Sequence, residues 1–310
     1  MDLSIIIVSY NTRAITRDCL QSIRDSDIQL NYEIILVDNS STDGSVEMIE
    51  MEFPEVVLIK NTSNNMFAKA NNQGMEIARG EYFLLLNSDT IVRAGNIERM
   101  FHFISTYDSR IACVGPRMLN SDETIQSEDQ SLYSIANAIC DVFNPFLSLL
   151  PHSVKNYLLP PGHKQADKSS SKRKSGWVSG ACMLVSARAA REISGFDDDY
   201  FFYGEEVDFC QRLKNAGYEV WINTEAEVIH LNGASSATDR RKKHEKIIRS
   251  RAMFCKKHFS RPAMLLYLYI YIVGYKIGYF FKKDKDWKRN CQWGYSFYKQ
   301  ILNRIESSKG

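Results

Sequence analysis

Apolar runs that end abruptly in polar side chains divide the first 120 residues into predicted strands. The clearest is Tyr82–Leu86, which runs into the polar stretch Asn87–Asp89. A continuous apolar run of this length is typical of a strand buried on both faces, as an internal parallel strand is. Leu3–Ser9 and Glu33–Val37 have the same character. These runs predict the central strands of a parallel sheet.

Segments with helical spacing separate these strands. We predict helices through Cys19, Leu20 and Ile23 and at Val46–Phe53, Phe67–Ala78 and Gly95–Tyr107, with further strands at Val56–Ile59, Ile111–Val114, Val220–Ile222 and Val228–His230. Strands that alternate with helices at this spacing indicate βαβ units with right-handed crossovers. The predicted fold is therefore α/β, with a mostly parallel sheet and helices on both faces.

The middle of the chain is less regular. We predict a main domain of residues 1–240 with a mobile insert at about residues 120–175, and a helical region of residues 241–310. The insert contains an apolar patch, Ile135–Leu150, of undefined type. Pro160–Lys174 is polar, basic and serine-rich, which is typical of a loop.

Charge separates the two parts of the chain. The net charge is +2, but residues 240–310 hold 19 lysines and arginines against 4 acidic residues, a net charge of +15, so the rest carries −13. Such a reversal suggests one part that handles a substrate and one that touches an anionic surface. The seven cysteines show no C-x-x-C spacing. We expect reduced thiols in a cytosolic protein, without disulfides or a zinc site.

The apolar segment Ala263–Phe281 is just long enough to span a bilayer. Tyr267, Tyr271, Tyr275 and Tyr279 recur every four residues, a stripe suited to the headgroup region of a membrane. A helical layer packed on the main domain is the alternative. The positive charge favours docking on an anionic membrane.

Polar residues follow several predicted strands. Asn11, Asp38 and Asp89 would meet at the carboxyl edge of the sheet, where open α/β sheets bind their ligands. Asp89 could bind a hard cation that holds phosphate oxygens, with Lys69 as a helper, although Asp often only caps a helix. Neither G-x-G-x-x-G nor G-x-x-x-x-G-K is present, which disfavours a dinucleotide oxidoreductase and a P-loop kinase.

Two further features are candidates for chemistry. Glu205 and Glu206 are adjacent carboxylates, so one could have a raised pKa suited to proton abstraction. The alternative is an acidic helix N-terminus stabilised by the helix dipole. His230 ends an apolar strand, where a histidine is often structural, but with Asp89 it would make a mixed oxygen and nitrogen metal site.

Seven blocks together resemble one enzyme family. They are SIIIVSYN, ILVDNSSTDGS, NNMFAKANNQG, YFLLLNSDT, GWVSGACMLVSA, GFDDDYFFYGEEVDFCQRLKNAGY and VIHLNGASS. Their order is similar to that of the inverting family 2 glycosyltransferases of GT-A fold, a Rossmann-like nucleotide-diphospho-sugar transferase fold. Within these, the chain resembles the rhamnosyltransferase-like branch that builds bacterial surface polysaccharides. The match spans about residues 3–260.

The resemblance implies a role for individual residues. It assigns nucleotide contacts to Ser9, Tyr10, Asn11, Asp38, Lys69, Asn71, Asn87 and Ser88, metal ligands to Asp89 and His230, the general base to Glu206 with Glu205 as the alternative, and sugar contacts to Trp177, Gly180, Ala181 and Asp208. The metal would be Mg²⁺ or Mn²⁺. Three positions depart from the family pattern: Asn87 replaces an Asp, Glu206 replaces an Asp, and Met66 stands where glycine is frequent.

The resemblance also implies a reaction and its partners. A sugar, such as rhamnose, would pass from a dTDP- or UDP-linked donor to a lipid-diphosphate-linked saccharide in O-antigen or related lipopolysaccharide synthesis. The enzyme would be peripheral on the cytoplasmic face of the inner membrane, held by an anionic surface, and would have no nucleic-acid partner. The alternative function is a non-catalytic, nucleotide-sugar-binding component of a membrane assembly complex.

Overall fold

The computed structural model describes residues 1–126, 131–147, 171–200, 203–231, 240–281 and 285–307. The chain forms two compact units. The sheet unit contains residues 1–130 and 167–240, and the helical unit contains residues 131–166 and 241–310. Within the predicted insert and loop, residues 127–130 and 148–170 lie outside the described residues.

The elements follow the predicted alternation through the first 120 residues. They are β1 (Leu3–Ser9), α1 (Arg13–Asp25), β2 (Tyr32–Asp38), α2 (Ser45–Glu52), β3 (Val57–Lys60), α3 (Met66–Ile77), β4 (Tyr82–Asn87), β5 (Thr90–Val92), α4 (Asn96–Thr106) and β6 (Ile111–Leu119). The later elements are α5 (Ile135–Leu147), β7 (Lys172–Lys174), β8 (Cys182–Ser186), α6 (Ala187–Glu192), α7 (Glu205–Asn215), β9 (Glu219–His230), α8 (Arg240–His258), α9 (Arg261–Phe281) and α10 (Lys285–Ser307).

All nine of these strands belong to one sheet, in the order β3-β2-β1-β4-β8-β6-β9-β5, with β7 paired to β9. Strands β1 to β4, β6 and β9 run in one direction, and β8 runs the opposite way between β4 and β6. The short strands β5 and β7 are antiparallel to β9. The prediction of a mostly parallel α/β sheet is therefore confirmed, with β8 as the main exception.

Side chains of the central strands alternate between two cores. Ile5 and Leu84 pack in a cluster that contains residues of α1, α2 and α4. Their neighbours Ile6 and Leu85 pack in a second cluster with residues of α3, α6 and α7. Successive side chains of a strand point to opposite faces, so these two clusters show helices on both faces of the sheet.

Strand β9 was predicted as two short strands but forms one long strand with a register shift against β6. Pro116 pairs with Asn223, whereas the next residue, Arg117, pairs with Glu227. The polar residues between them interrupt the apolar pattern, and Asn223 is nevertheless buried, with its amide bonded to the Arg99 carbonyl. A bulge of this kind keeps the strand continuous but interrupts the alternation of apolar and polar residues by which a strand is identified in a sequence.

The helical unit has a core of its own. It contains residues of α5, α8, α9 and α10, including Tyr267, Tyr271 and Tyr298. Tyr267 and Tyr271 are 1% and 8% exposed, so the tyrosine stripe of α9 packs inward. The prediction that this stripe faces lipid headgroups is wrong, because a four-residue period marks one face of a helix without showing what covers it.

The phenol of Tyr271 links two charged groups inside the helical unit. It donates a hydrogen bond to the Asp141 carboxylate at 2.7 Å and accepts one from Arg251 at 3.2 Å. The Arg251 guanidinium also lies 5.2 Å from the ring centre of Tyr133. The hydroxyl therefore joins the partly buried guanidinium of Arg251 to the exposed carboxylate of Asp141.

We expect Tyr271→Phe to lower the free energy of unfolding by about 1–3 kcal/mol, because Arg251 and Asp141 both lose a hydrogen bond. Tyr269→Phe is the matched control, since Tyr269 is 47% exposed on the same helix and should change stability by less than about 0.5 kcal/mol. Urea unfolding of both variants measures the difference. Equal losses would contradict the inward packing of the stripe.

Candidate active site at the carboxyl edge of the sheet

A corner formed by β4, β5 and β9 brings the two predicted metal ligands together. Strand β5 pairs antiparallel with the end of β9, with Thr90 opposite His230. The Leu231 N–H donates to the Asp89 carbonyl at 2.9 Å, which extends this pairing by one residue. As a result, His230 Nε2 lies 3.3 Å from Asp89 Oδ1. Both side chains are largely buried.

Gln126 holds the other side of the His230 ring. Its Nε2 donates to the His230 carbonyl at 2.8 Å, and its Oε1 lies 3.3 Å from Nδ1. Because an amide oxygen only accepts, this contact places a proton on Nδ1. No local pattern in the sequence identifies Gln126, because its partner is distant along the chain.

The Asp89–His230 pair fits a divalent cation. When the neutral ring carries its proton on Nδ1, the lone pair of Nε2 faces a carboxylate oxygen of Asp89 and the two repel each other. A proton or a cation between these two atoms removes the repulsion. Among the described residues no group of three or more His, Cys, Asp or Glu side chains could hold a metal. Mg²⁺ and Mn²⁺ commonly combine few protein ligands with water and substrate phosphate oxygens, and Mn²⁺ accepts a mixed oxygen and nitrogen set. The donor set therefore fits a metal shared with a diphosphate.

Asp38 is the last residue of β2, and Asn11 lies on the loop that follows β1. Asp38 Oδ2 accepts the Ser41 N–H at 2.9 Å, while Oδ1 is buried without a hydrogen-bond partner in the described ranges. Asn11 has a φ of +52° and accepts the Thr42 N–H at 2.8 Å. Tyr10, next to Asn11, is 46% exposed. These residues form a rim with an unsatisfied acceptor and an exposed ring, which suits a nucleoside.

Other predicted nucleotide contacts lie beneath this rim. Ser9 is buried, and its hydroxyl is 2.9 Å from the hydroxyl of Thr16. Ser88 is also buried, 3.4 Å from the Thr12 hydroxyl. The side chains of Ser9 and Ser88 therefore support the rim from below, in disagreement with their predicted role as nucleotide contacts.

The predicted contacts on α3 differ in exposure. Lys69 is exposed, whereas Asn71 is buried and its amide donates to the Phe67 carbonyl at 2.9 Å. Asn71 is thus engaged with its own helix. Lys69 keeps a side chain that can reach a ligand.

An amide network that sequence reasoning missed fixes the start of α3. Asn39, at the end of β2, accepts from Asn61 at 2.9 Å and donates to the Met66 carbonyl at 3.1 Å. Asn61 and Gln73 are joined by a pair of amide hydrogen bonds. Met66 itself has a φ of +60°. This left-handed backbone accounts for the glycine expected there, since glycine adopts it without steric cost.

The acidic pair begins α7. Gly204 has a φ of +87°, and its N–H donates to Glu206 Oε2 at 3.2 Å. A Cβ on Gly180 would lie 3.8 Å from the Glu206 Cβ and 3.1 Å from the Phe67 ring. A side chain at position 180 would therefore crowd the Phe67 ring, and Glu206 is adjacent to this glycine.

The two carboxyls differ in exposure, although both have raised pKa values. Burial is the main cause of the raised pKa of Glu205, and the charge of Glu206 raises it further. Burial also raises the pKa of Glu206, but its own N–H and that of Gly204 oppose the shift. Glu205 is buried, with Oε2 unpaired within the described part of the chain, whereas Glu206 is half-buried. The pair holds a proton more tightly than ordinary glutamates do.

Asp208, predicted as a sugar contact, is a structural residue. Its side chain is fully buried and accepts hydrogen bonds from Arg212 at 2.6 Å and from the Tyr200 hydroxyl at 3.3 Å. Arg212 in turn donates to the carbonyls of Ile193 and Gly195. The prediction for Asp208 is wrong, because this carboxylate anchors α7 to the preceding loop.

The segment before β8 connects the corner that holds Asp89 to the acidic pair. The Ala181 carbonyl accepts the Asn87 N–H at 2.9 Å, and Gly180, next to it, borders Glu206. Trp177 is half-buried against the core that contains Phe67. Asn87 is half-buried, and its carbonyl accepts a hydrogen bond from the Thr90 hydroxyl at 2.8 Å. Gly180 and Ala181 therefore lie between the end of β4 and the acidic pair, and their contact with a sugar stays a prediction.

Two family models match the chain. Residues 4–192 match Glycosyl transferase family 2, and residues 163–281 match Glycosyl transferase family group 2. The chain is also similar to the N-acetylglucosaminyl-diphospho-decaprenol L-rhamnosyltransferase of Mycobacterium tuberculosis. The two are 28% identical over 218 residues, which cover 66% of this chain and 68% of the relative.

Solved structures share the fold at low identity. The mannosyltransferase PcManGT from Pyrobaculum calidifontis, in complex with GDP-Man and Mn²⁺, has a TM-score of 0.58 at 12% identity, covering 99% of this chain and 76% of that one. S. aureus TarS 1-349, in complex with UDP, has a TM-score of 0.55 at 14% identity, covering 97% and 81%. These likenesses show a GT-A fold.

We expect Glu205→Gln to stabilise the protein above neutral pH. A carboxyl whose pKa is raised by folding stabilises the fold below the ordinary glutamate pKa, and this contribution is lost as the pH rises through the raised pKa. The loss is about 1.4 kcal/mol for each pH unit between the two values.

Urea unfolding at about pH 5 and about pH 8 tests this expectation, with both pH values chosen around the shifted glutamate titration. Wild type should lose more stability than Glu205→Gln over this interval. Glu47→Gln, an exposed glutamate in the first turn of α2, is the matched control and should follow wild type. Parallel pH profiles for all three proteins would contradict the assigned burial of Glu205.

Proposed function

Because this chain belongs to glycosyl transferase family 2, we propose that it is an inverting, metal-dependent hexosyltransferase that uses a nucleotide-diphosphate sugar. The observation that supports this most directly is the Asp89–His230 pair at the carboxyl edge of the sheet. The pair lies where open α/β sheets bind phosphorylated ligands. Its donor set suits a cation that also contacts a diphosphate.

Asp89 and His230 would hold the cation, and Tyr10, Asn11 and Asp38 would receive the nucleoside. When bound, Mg²⁺ or Mn²⁺ neutralises negative charge that develops on the departing diphosphate. Gln126 keeps Nε2 of His230 directed at this position. The exposed Lys69 offers a second positive charge for phosphate oxygens.

Glu206 is our candidate for the general base. It takes the proton of the acceptor hydroxyl while that oxygen attacks the anomeric carbon from the face opposite the nucleotide. The bond between that carbon and the diphosphate oxygen breaks in the same displacement, so the configuration inverts. Glu205 holds its proton more tightly because burial and the charge of Glu206 both raise its pKa. Its neutral form leaves Glu206 as the ionised member of the pair.

The substrates follow from the relative and the family branch. The relative's name describes transfer of L-rhamnose to N-acetylglucosaminyl-diphospho-decaprenol. We infer a dTDP- or UDP-linked hexose donor, such as rhamnose, and a lipid-diphosphate-linked saccharide acceptor in surface-polysaccharide or O-antigen synthesis. With such an acceptor, we propose that the enzyme is peripheral on the cytoplasmic face of the inner membrane.

The experiment that tests this function combines a panel of nucleotide sugars with a short-chain lipid-diphosphate-linked N-acetylglucosamine. We expect metal-dependent transfer from one donor, with inversion at the anomeric carbon visible by NMR of the product. Donor binding without transfer to any acceptor would instead support the non-catalytic alternative.

The two glutamates should separate binding from transfer. Glu206→Gln should bind the nucleotide sugar normally but lower the transfer rate by about 10²–10⁴-fold, because the acceptor loses its base. Glu205→Gln should mainly raise the apparent KM for the acceptor. Transfer at saturating acceptor, beside donor affinity by calorimetry, measures both. An inactive Glu205→Gln with an active Glu206→Gln would reverse the assignment, and two active variants would exclude this pair as the base.

Gln126 should act on the metal through His230. Gln126→Met should weaken Mn²⁺ binding by about 10–100-fold in the presence of UDP, because the imidazole loses the partner that orients it. Asp89→Ala should abolish the same binding. Gln21→Met, at an exposed position on α1, is the control. The readout is Mn²⁺ titration by electron paramagnetic resonance, and unchanged affinity in Gln126→Met would show that the contact is only structural.

A further inference from the structure

Helix α9 has an apolar face that the helical unit leaves uncovered. Leu266, Tyr269, Val273 and Phe280 are between 46% and 78% exposed. With 3.6 residues per turn, these four side chains fall within about 60° around the helix axis. The opposite face, which carries Tyr267 and Tyr271, packs in the core of the unit. One side of α9 is therefore structural and the other meets the surroundings.

Helix α9 is unusually apolar for a helix with one face exposed to water. Arg261–Phe280 is long and apolar enough to cross a bilayer by length and composition, and 28% of its most apolar window is buried. A core helix of similar hydropathy would be mostly buried. Because the tyrosine face packs against other helices of the unit, α9 suits a position along a membrane surface, as amphipathic helices adopt.

A basic cavity lies beside the amino-terminal end of α9. Its volume is about 430 Å³, and its lining consists of three cations and three apolar side chains: Lys256, Arg261, Arg304, Phe259, Met264 and Ile305. The cavity lies where α8 and α10 end and α9 begins. It thus offers positive charge around an apolar floor.

Helix dipoles explain only part of this charge. Lys256 and Arg304 lie in the last turns of α8 and α10, where cations are favourable. Arg261 is the first residue of α9, where the dipole disfavours a cation. The three cations nevertheless line one cavity, so this end of the helical unit is positively charged.

We propose that the apolar face of α9 and this cavity form a docking surface for an anionic bilayer. The side chains of Leu266, Tyr269, Val273 and Phe280 enter the interfacial region, and the cavity receives the phosphate of an anionic phospholipid. Charge complementarity selects this occupant, since residues 240–310 carry a net charge of +15. Lys276 lies on the exposed side with its ammonium 5.1 Å from the Tyr295 ring centre, so the charge can stay at the headgroup level.

This surface supplements the proposed function, because a lipid-linked acceptor requires the enzyme to work at a membrane. It is tested without any transfer assay, so its failure and the failure of the proposed reaction are distinguishable. The test is co-sedimentation of the full chain with vesicles of phosphatidylcholine, with and without phosphatidylglycerol. Wild type should bind only the vesicles that contain phosphatidylglycerol, and added salt should release it.

Two variants probe the two parts of the surface. The triple change Lys256→Gln, Arg261→Gln and Arg304→Gln should weaken vesicle binding by about 100-fold, since each basic residue near anionic lipid contributes about fivefold. Its matched control is Arg17→Gln, Lys60→Gln and Arg93→Gln, which removes the same charge from exposed sites of the sheet unit. Equal losses in both triples would overturn the cavity as a headgroup site.

The apolar face is tested by Leu266→Asp, with Met51→Asp as the control at an exposed position on α2. Leu266→Asp should lose most vesicle binding, whereas Met51→Asp should bind vesicles like wild type. If Leu266→Asp does not fold, Tyr269→Asp is the variant to use in its place. Wild-type protein that ignores vesicles would overturn the proposal. Vesicle binding that only detergent releases would also overturn the proposal, because it would assign the face to a spanning helix. A concentration-dependent dimer that Leu266→Asp abolishes would overturn it too, because the face would then bind a second copy of the chain.

Discussion

The antiparallel contact between β5 and the end of β9 is the constraint on which the candidate site depends. It carries His230 across the sheet to within 3.3 Å of Asp89, two residues that no local sequence relation connects. A three-residue strand gives few hydrogen bonds, so the contact relies on the longer pairing of β9 with β6 beside it. The polar chemistry at this edge is thus held by a sheet whose apolar residues pack on both faces.

The acidic pair shows a related balance between packing and reactivity. Folding buries Glu205 without a partner for Oε2 in the described residues and raises its pKa, which costs stability above neutral pH. The Asp208–Arg212 contact and the Arg212 bonds to two carbonyls hold the start of α7 in place. Tyr203, at a φ of +72°, adds a strained residue beside the pair. Unfavourable features of this kind persist where surrounding contacts fix them, and they cluster at functional sites.

The sequence predicted the sheet core well because buried strands are continuous apolar runs. Strands β1 to β4 and helices α2 to α4 lie within one or two residues of their predicted bounds, and α1 contains the predicted Cys19, Leu20 and Ile23. Strands β5 and β7 were missed because each is only three residues long, and all three side chains of β7 are basic. The bulge in β9 divided one strand into two apparent ones.

Site residues were predictable to the extent that their side chains face the edge of the sheet. Asp89 and His230 lie together as expected. Ser9 and Asp208, in contrast, are buried and form hydrogen bonds with other polar side chains of the protein. A sequence does not show whether a hydroxyl or carboxylate points to a ligand or to the interior. Gln126 was missed because its role exists only through the folded partner. The tyrosines of α9 were assigned to the wrong environment, since periodicity defines a face but not its neighbour.

The central claim is that Asp89 and His230 bind one divalent ion together with the donor's diphosphate. Pulsed electron paramagnetic resonance on the Mn²⁺ complex of the full chain with UDP tests it most directly, because a coordinated imidazole gives ¹⁴N modulation and a bound diphosphate gives ³¹P coupling. We predict both signals in wild type, with the nitrogen signal absent from His230→Ala. A wild-type spectrum with phosphorus coupling but no nitrogen coupling would contradict the assigned metal site.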